Sequence, residues 1–314
     1  MVRKTTAYAG WPAFVLGACL SVACSAVEEV DAQGVVTLSD DAGSRLAQVH
    51  VILQPQPDPI GVEPQLDISA SFVHYRGLDE DSVRSRVGLG ALPFERLDVG
   101  TCVASEALDG IELSAAEHPA VADRELVLVD AGDVTFRMGE VSGELPLVLL
   151  PDLLPYMSGV DYEQVTDVLP SVFVYDDESE LSVEIEGSGD DEIPPTTLRA
   201  LLPAKLDFEA RRGFDASILE LRWRSARRSD TPLVLRIAGY VGSEPLGAEV
   251  TCVIRDRGFF RLHLAELRSL GLGIAGEGLH LRASRYERST FDAGEFVGGE
   301  FIVELRDSRF LVLR

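Results

Sequence analysis

Lysine is nearly missing from this chain: Lys4 and Lys205 are the only two in 314 residues, and every other basic side chain is arginine. Such a bias follows from a GC-rich coding sequence and leaves function open. Basic residues are scarce overall, 28 against 52 acidic, for a formal charge of −24. Nucleic acids and anionic headgroups are held by clustered cations, so the balance argues against nucleic-acid binding. Aromatics are 7% of the chain, too few for the interfacial girdles of a membrane-spanning β-barrel, whose lipid-facing rows also tolerate few of the charges seen here. Low hydrophobicity is not among the deficits. At 46% hydrophobic and 25% charged the composition is that of a folded protein.

Motifs of known chemistry are missing as well. The histidines, His50, His74, His118, His263 and His280, are scattered and make no HExxH. No CxxC pair supports zinc. "GEVSG" (139–143) has its serine one place late for a nucleophile elbow. "GLGIAGEG" (271–278) lacks the strand–helix setting of a phosphate loop and reads as a loop. Acidic clusters at 39–44, 78–82, 175–180 and 187–192 lack the spaced ligands of an EF-hand. Calcium is the one cofactor they offer, with Asp176, Asp177, Asp190 and Asp191 as candidate ligands; hydrated turns are the plainer reading. No catalytic residue stands out, and a non-enzymatic protein is expected.

What is present begins at the N-terminus. Arg3 and Lys4 precede an uncharged run from Thr5 to Cys24, interrupted by Gly10 and Pro12, after which the chain turns acidic with "AVEEVDAQG". A basic start, a short apolar stretch and small residues at its end describe a secretory signal peptide. Within it, "LGAC" (16–19) and "SVAC" (21–24) each place a cysteine after small residues. This resembles the lipobox of bacterial lipoproteins. The resemblance covers the first two dozen residues and implies lipidation of Cys24 or Cys19, with the signal ending at 23, or at 18 if cleavage precedes Cys19. An ordinary cleaved signal with incidental cysteines and an uncleaved N-terminal anchor are the alternatives. Two or more acyl chains anchor stably where one does not. Neither Leu20 nor Ser25 is the aspartate that marks inner-membrane retention in some lipoproteins, so the resemblance implies the cell envelope, at the outer membrane. With the acidic pI and the arginine bias, the whole pattern resembles envelope lipoproteins of myxobacterial type.

Beyond a tether at 24–32 the chain reads as all-β. "RLAQVHVILQPQ" (45–56), "QLDISASFVHYR" (65–76), "ILELRWRS" (218–225), "LVLRIAGY" (233–240), "EVTCVIRD" (249–256), "LHLRASRY" (279–286) and "EFIVELRD" (300–307) alternate polar and apolar residues, the mark of half-buried strands. Helix is expected only at "LAELRSLG" (264–271) and for a turn or two in "PDLLPYMSGVDYEQV" (151–165). Two β-sandwich units are expected: an acidic one over 33–198 and an immunoglobulin- or fibronectin-like one over 199–314. The turn-rich "GSGDDEIPPTT" (187–197) marks the boundary, and Trp223 belongs to the second core. Charge divides likewise, with 36 acidic and 10 basic residues before position 201 and 16 and 18 from there on.

Cys102 and Cys252 sit in similar strand-like settings, "GTCVA" and "VTCVI". In an oxidising compartment two such thiols can pair, stapling one unit to the other; two buried free thiols are the alternative. The expected function is a lipid-anchored protein of adhesion, envelope scaffolding or ligand recognition. Its partners would be the membrane, through the lipid, and an envelope protein or glycan. An exported hydrolase or carbohydrate-binding protein with its site in sandwich loops is the rival.

Overall fold

The computed structural model describes residues 43–313, apart from 58, 60–62, 90, 110–123, 150–156, 169–172, 190–191, 216, 227–230, 243 and 275–277. The expected signal and tether (1–32), with Cys19 and Cys24, lie outside the described residues. Among those described, no helix is long and apolar enough to cross a membrane.

The first half carries β1 (Ser44–Gln54), β2 (Gln65–Arg76), α1 (Glu80–Arg86), α2 (Pro93–Arg96), β3 (Cys102–Ala104), α3 (Glu106–Asp109), β4 (Glu125–Leu128), β5 (Val134–Met138), β6 (Val141–Leu145), β7 (Leu147–Leu149), β8 (Met157–Val168), β9 (Glu180–Ile185) and β10 (Thr196–Leu201). The second carries β11 (Glu209–Arg212), β12 (Ile218–Arg222), β13 (Leu233–Val241), β14 (Glu244–Ile254), β15 (Phe259–His263), α4 (Leu264–Ser269), β16 (Gly278–Ala293) and β17 (Phe296–Val312). The protein is all-β and sandwich-like.

Ten strands form one continuous sheet in the order β3-β14-β13-β16-β17-β1-β2-β4-β8-β7. Two smaller sheets, β10-β9-β5-β6 and β11-β12-β15, share its inner face. Alternation drives this packing. Ala47, Val49, Val51 and Leu53 of β1 and Phe301, Val303 and Leu305 of β17 point inward. They join Phe136 and Val183 of the four-stranded sheet and Leu219 and Leu221 of the three-stranded one in a single apolar core. Burial of this kind contributes about 25 cal/mol per Å² of apolar surface.

In the second half, the first, second and fifth strands pair with one another, and the third, fourth, sixth and seventh form the other layer. That is a two-layered, sandwich-like arrangement, with Trp223 buried in the core. The expected boundary at 198/199, however, needs correction. It falls inside β10, which pairs with β9 across the turn-rich stretch, so "GSGDDEIPPTT" closes a hairpin and links no domains. The two halves are also not separate bodies, because β1 runs parallel to β17, Gln48 to Leu53 beside Glu300 to Leu305. Residues 41–314 are one compact unit. The helical turn expected near 151–165 gives way at 157–165 to β8, which lies beside β2, β4 and β7. Those ladders satisfy a backbone that has little helical propensity to oppose them.

The β16–β17 hairpin turns on Gly294 and Glu295. Gly294 has φ +63°, and a Cβ there would meet Glu192 O at 2.4 Å, so glycine is required on both counts. One charged pair is sealed inside. Arg285, 1% exposed, donates from Nε to Asp256 Oδ2 at 2.8 Å and from Nη2 to Oδ1 at 3.1 Å. Its remaining N–H groups reach Arg224 O at 2.6 Å, Lys205 O at 3.2 Å and Ala204 O. Asp256 also accepts from Trp223 Nε1 at 2.6 Å. The pair thus pins three connecting segments to β16.

Candidate functional site

The outer face of the large sheet is crossed by the segment that follows β2. Its path is set locally. Asp79 caps α1, accepting from Ser82 N at 2.8 Å and Ser82 Oγ at 2.7 Å, which holds its carboxyl below the usual range. Glu80 and Asp81 sit in the first turn, Arg84 and Arg86 in the last, matching the helix dipole. Val83 is buried among Leu46, Val73, Tyr75 and Leu126. Leu92 packs on Val234 and Ile302, and Phe94 meets Tyr286 edge-on at 5.3 Å. The segment ends as β3, an edge strand on β14.

Beneath this strap is a cleft of about 630 Å³, walled by Asp81, Arg84, Glu95, Arg96, Arg288 and Glu300. Glu300 is its centre. It accepts from Gln48 Nε2 at 2.9 Å, from Arg84 Nη1 at 3.1 Å, and from Arg288 Nη2. Burial by itself would raise its pKa, but these donors outweigh burial and hold the carboxyl below the ordinary range. Arg84 also binds Glu80 at 2.8 Å, and Arg288 binds Glu95 at 2.6 Å. The cleft mixes these charged groups, near charge balance, with the apolar Ala91, Leu97, Ala107 and Leu108. Gln48, Arg84 and Arg288 favour the ionised form of its Glu300 carboxylate.

Further along the same face Glu304 is sealed at 3% exposure. Arg306 donates from Nε at 2.6 Å and Nη2 at 3.2 Å, Ser284 Oγ at 2.7 Å, and His50 Nε2 lies at 3.4 Å. Again burial acts to raise the pKa, and Arg306 and His50 drive it far down.

Of the residues singled out from sequence, Asp176 accepts from Glu178 N at 3.1 Å and Ser179 Oγ at 3.3 Å, a self-contained turn. Asp177 accepts from Lys205 N at 3.3 Å, with Arg224 Nη2 at 3.8 Å. Asp190 and Asp191 lie outside the described residues. Among the described residues no three His, Cys, Asp or Glu side chains are grouped to hold a metal. Cys102 and Cys252 are brought together in a disulfide. They are direct partners on β3 and β14, with Cα atoms 4.0 Å apart. Val253 N donates to Thr101 O, which makes the neighbouring cysteine pair a narrow, non-hydrogen-bonded one. Arg84, Glu95, Arg288 and Glu300 were not singled out. Glu300 and Glu304 stand at polar places of a visibly alternating strand, and that pattern reads as solvent-facing whether or not a strap covers it.

No family model matches the chain, and no curated protein matches it. Among solved structures, a yeast delta-COP-I mu-homology domain aligns over 83% of this chain and 95% of its own, at 7% identity and a TM-score of 0.22. Similarity at that level carries no argument about fold or function.

Proposed function

We propose that the chain is an exported lipoprotein, held in the cell envelope by a lipid on Cys24 or Cys19, whose sandwich body binds a partner without transforming it. The observation that carries the anchor is the lipobox-like close of the apolar N-terminal run. The Cys102–Cys252 disulfide supports export, since such bonds persist in oxidising compartments. The braced cleft under the strap supports binding: Arg84 and Arg288 are held by Glu80, Glu95 and Glu300, while Asp81 and Arg96 line the same wall. The hydrolase reading draws on the convergence of Asp81, Glu95 and Glu300 on that cleft. Against it stands the pairing of Glu95 and Glu300 with arginine.

Radiolabelled palmitate tests the anchor. It should enter the wild-type chain and be lost when Cys19 and Cys24 are both replaced by alanine; persistent labelling would refute a lipid at either. For the body, an envelope component retained by wild type and lost with Arg288→Ala supports binding at the cleft. Turnover of an envelope polymer by the purified chain would replace that reading with the hydrolase.

A further inference from the structure

The outer face of the large sheet carries a second polar cluster, away from the cleft. Arg236 of β13 and Arg282 of β16 are direct cross-strand partners. On β17, Ser308 stands opposite Arg282 and Arg306 opposite Ser284, so Arg306 is diagonal to Arg282. On the other side Thr251 of β14 faces Arg236. One row across four strands therefore reads Thr251, Arg236, Arg282, Ser308, with Arg306 beside it. Side chains opposed in this way have Cβ atoms about 4.5–5.5 Å apart, and like charges there are destabilising.

The carboxylates nearby offset the row only in part. Arg306 commits two N–H groups to Glu304. Arg282 reaches Glu249 at only 3.5 Å, and its Nε is buried without a partner. Arg236 makes no ion pair among the described residues. Asp67 acts on Arg306 through space alone and lies off the row. Burial above all, with Arg306 and Arg236 adding to it and Glu249 and Glu304 opposing, lowers the pKa of Arg282. In a chain with 52 acidic residues, a carboxylate at either position would have removed the conflict.

We propose that Arg236 and Arg282, with Arg306 alongside, form a binding site for a phosphate- or sulfate-type oxyanion. A tetrahedral anion can take N–H groups from two guanidinium forks at once; Thr251, whose hydroxyl is bound to Ser105 Oγ at 2.7 Å, closes the row on the β14 side. The site is independent of the lipid anchor, so a failed palmitate experiment leaves it standing.

The test uses the purified full chain, melted in chloride buffer and in millimolar inorganic phosphate or sulfate at matched ionic strength. Phosphate should raise the melting temperature saturably, and calorimetry should show at least tenfold weaker binding for Arg236→Gln and Arg282→Gln. Arg222→Gln, on the three-stranded sheet, should bind as wild type does. In chloride alone Arg236→Gln should melt no lower than wild type, because it removes a repulsion; this separates a ligand role from a structural one. Vesicles of phosphatidylcholine with and without phosphatidylglycerol identify the source. Retention by the anionic vesicles that Arg236→Gln abolishes assigns a lipid headgroup, and phosphate binding without retention assigns a soluble ligand. An equal anion response in wild type and Arg236→Gln, or none in wild type with no vesicle retention, overturns the proposal.

Discussion

Replacing Asp256 by alanine should be among the most damaging single changes in this protein. Among the described residues Asp256 is the one carboxylate that Arg285 pairs with directly, and both are sealed, with side chains 2% and 1% exposed. Removing it leaves a guanidinium with two unanswered N–H directions in the core and orphans Trp223 Nε1. Breaking a buried pair from one side costs about 3–5 kcal/mol. At roughly 2–4 °C per kcal/mol for a body of this size, the melting temperature should fall about 6–20 °C. The double variant Arg285→Met, Asp256→Leu sharpens the argument. Apolar replacement of a buried pair is often neutral. Here it strips the donors from Ala204, Lys205 and Arg224 carbonyls, at about 1–3 kcal/mol for each left unpaired, so the double variant should remain below wild type. Differential scanning calorimetry decides both. An Asp256→Ala protein melting within about 2 °C of wild type, against the shift expected above, would refute the reasoning, as would a double variant at least as stable as the parent.

Other outcomes follow from the same structure. Dithiothreitol, or Cys102→Ser with Cys252→Ser, should cost up to about 5 kcal/mol, because the bond closes a long loop spanning 150 residues; free thiols at both positions in non-reducing peptide maps would remove the cause. Glu304 titrates lower folded than unfolded, so its stabilisation is complete at neutral pH. It is lost as pH falls below the ordinary glutamate range toward the folded value, and urea melts from pH 7 to 3 should show a shallower acid decline for Glu304→Gln. Tyr162 donates to Gly132 O at 2.7 Å and accepts from Ala131 N at 2.8 Å while buried; Tyr162→Phe should cost about 1–3 kcal/mol by chemical denaturation. Millimolar calcium should leave the melting temperature unchanged, since the carboxylates of Asp176 and Asp177 already accept local N–H and O–H groups.

Much of the fold was legible because alternation is strict where one face is buried. "LVLRIAGY" and "LHLRASRY" lie within β13 and β16, and "LAELRSLG" contains α4. The expectation failed where pairing overruled local signals. A turn or two of helix was expected over 151–165, yet β8 finds partners on both sides from Met157 on, and Gly159 lies close against Leu128 O in a way only glycine allows. The continuous sheet was not legible at all, since nothing local in β1 says that its neighbour lies 252 residues away, as Gln48 and Glu300 do. The cleft stayed hidden for a related reason. A charged residue at an alternate strand position looks the same whether water or a strap with its own arginines faces it.

The parallel pairing of β1 with β17 also decides how the body bears load. Force drawn from the beginning of β1 and from the end of β17 pulls the two strands in opposite directions along their length. The paired positions from Gln48 to Leu53 are then sheared together, so their hydrogen bonds resist as a set and not one after another as in a peeling hairpin. A body tethered at its N-terminus and gripped near Val312 would therefore present its strongest direction to tension, and rupture would begin with the β1–β17 seam giving way in a single step.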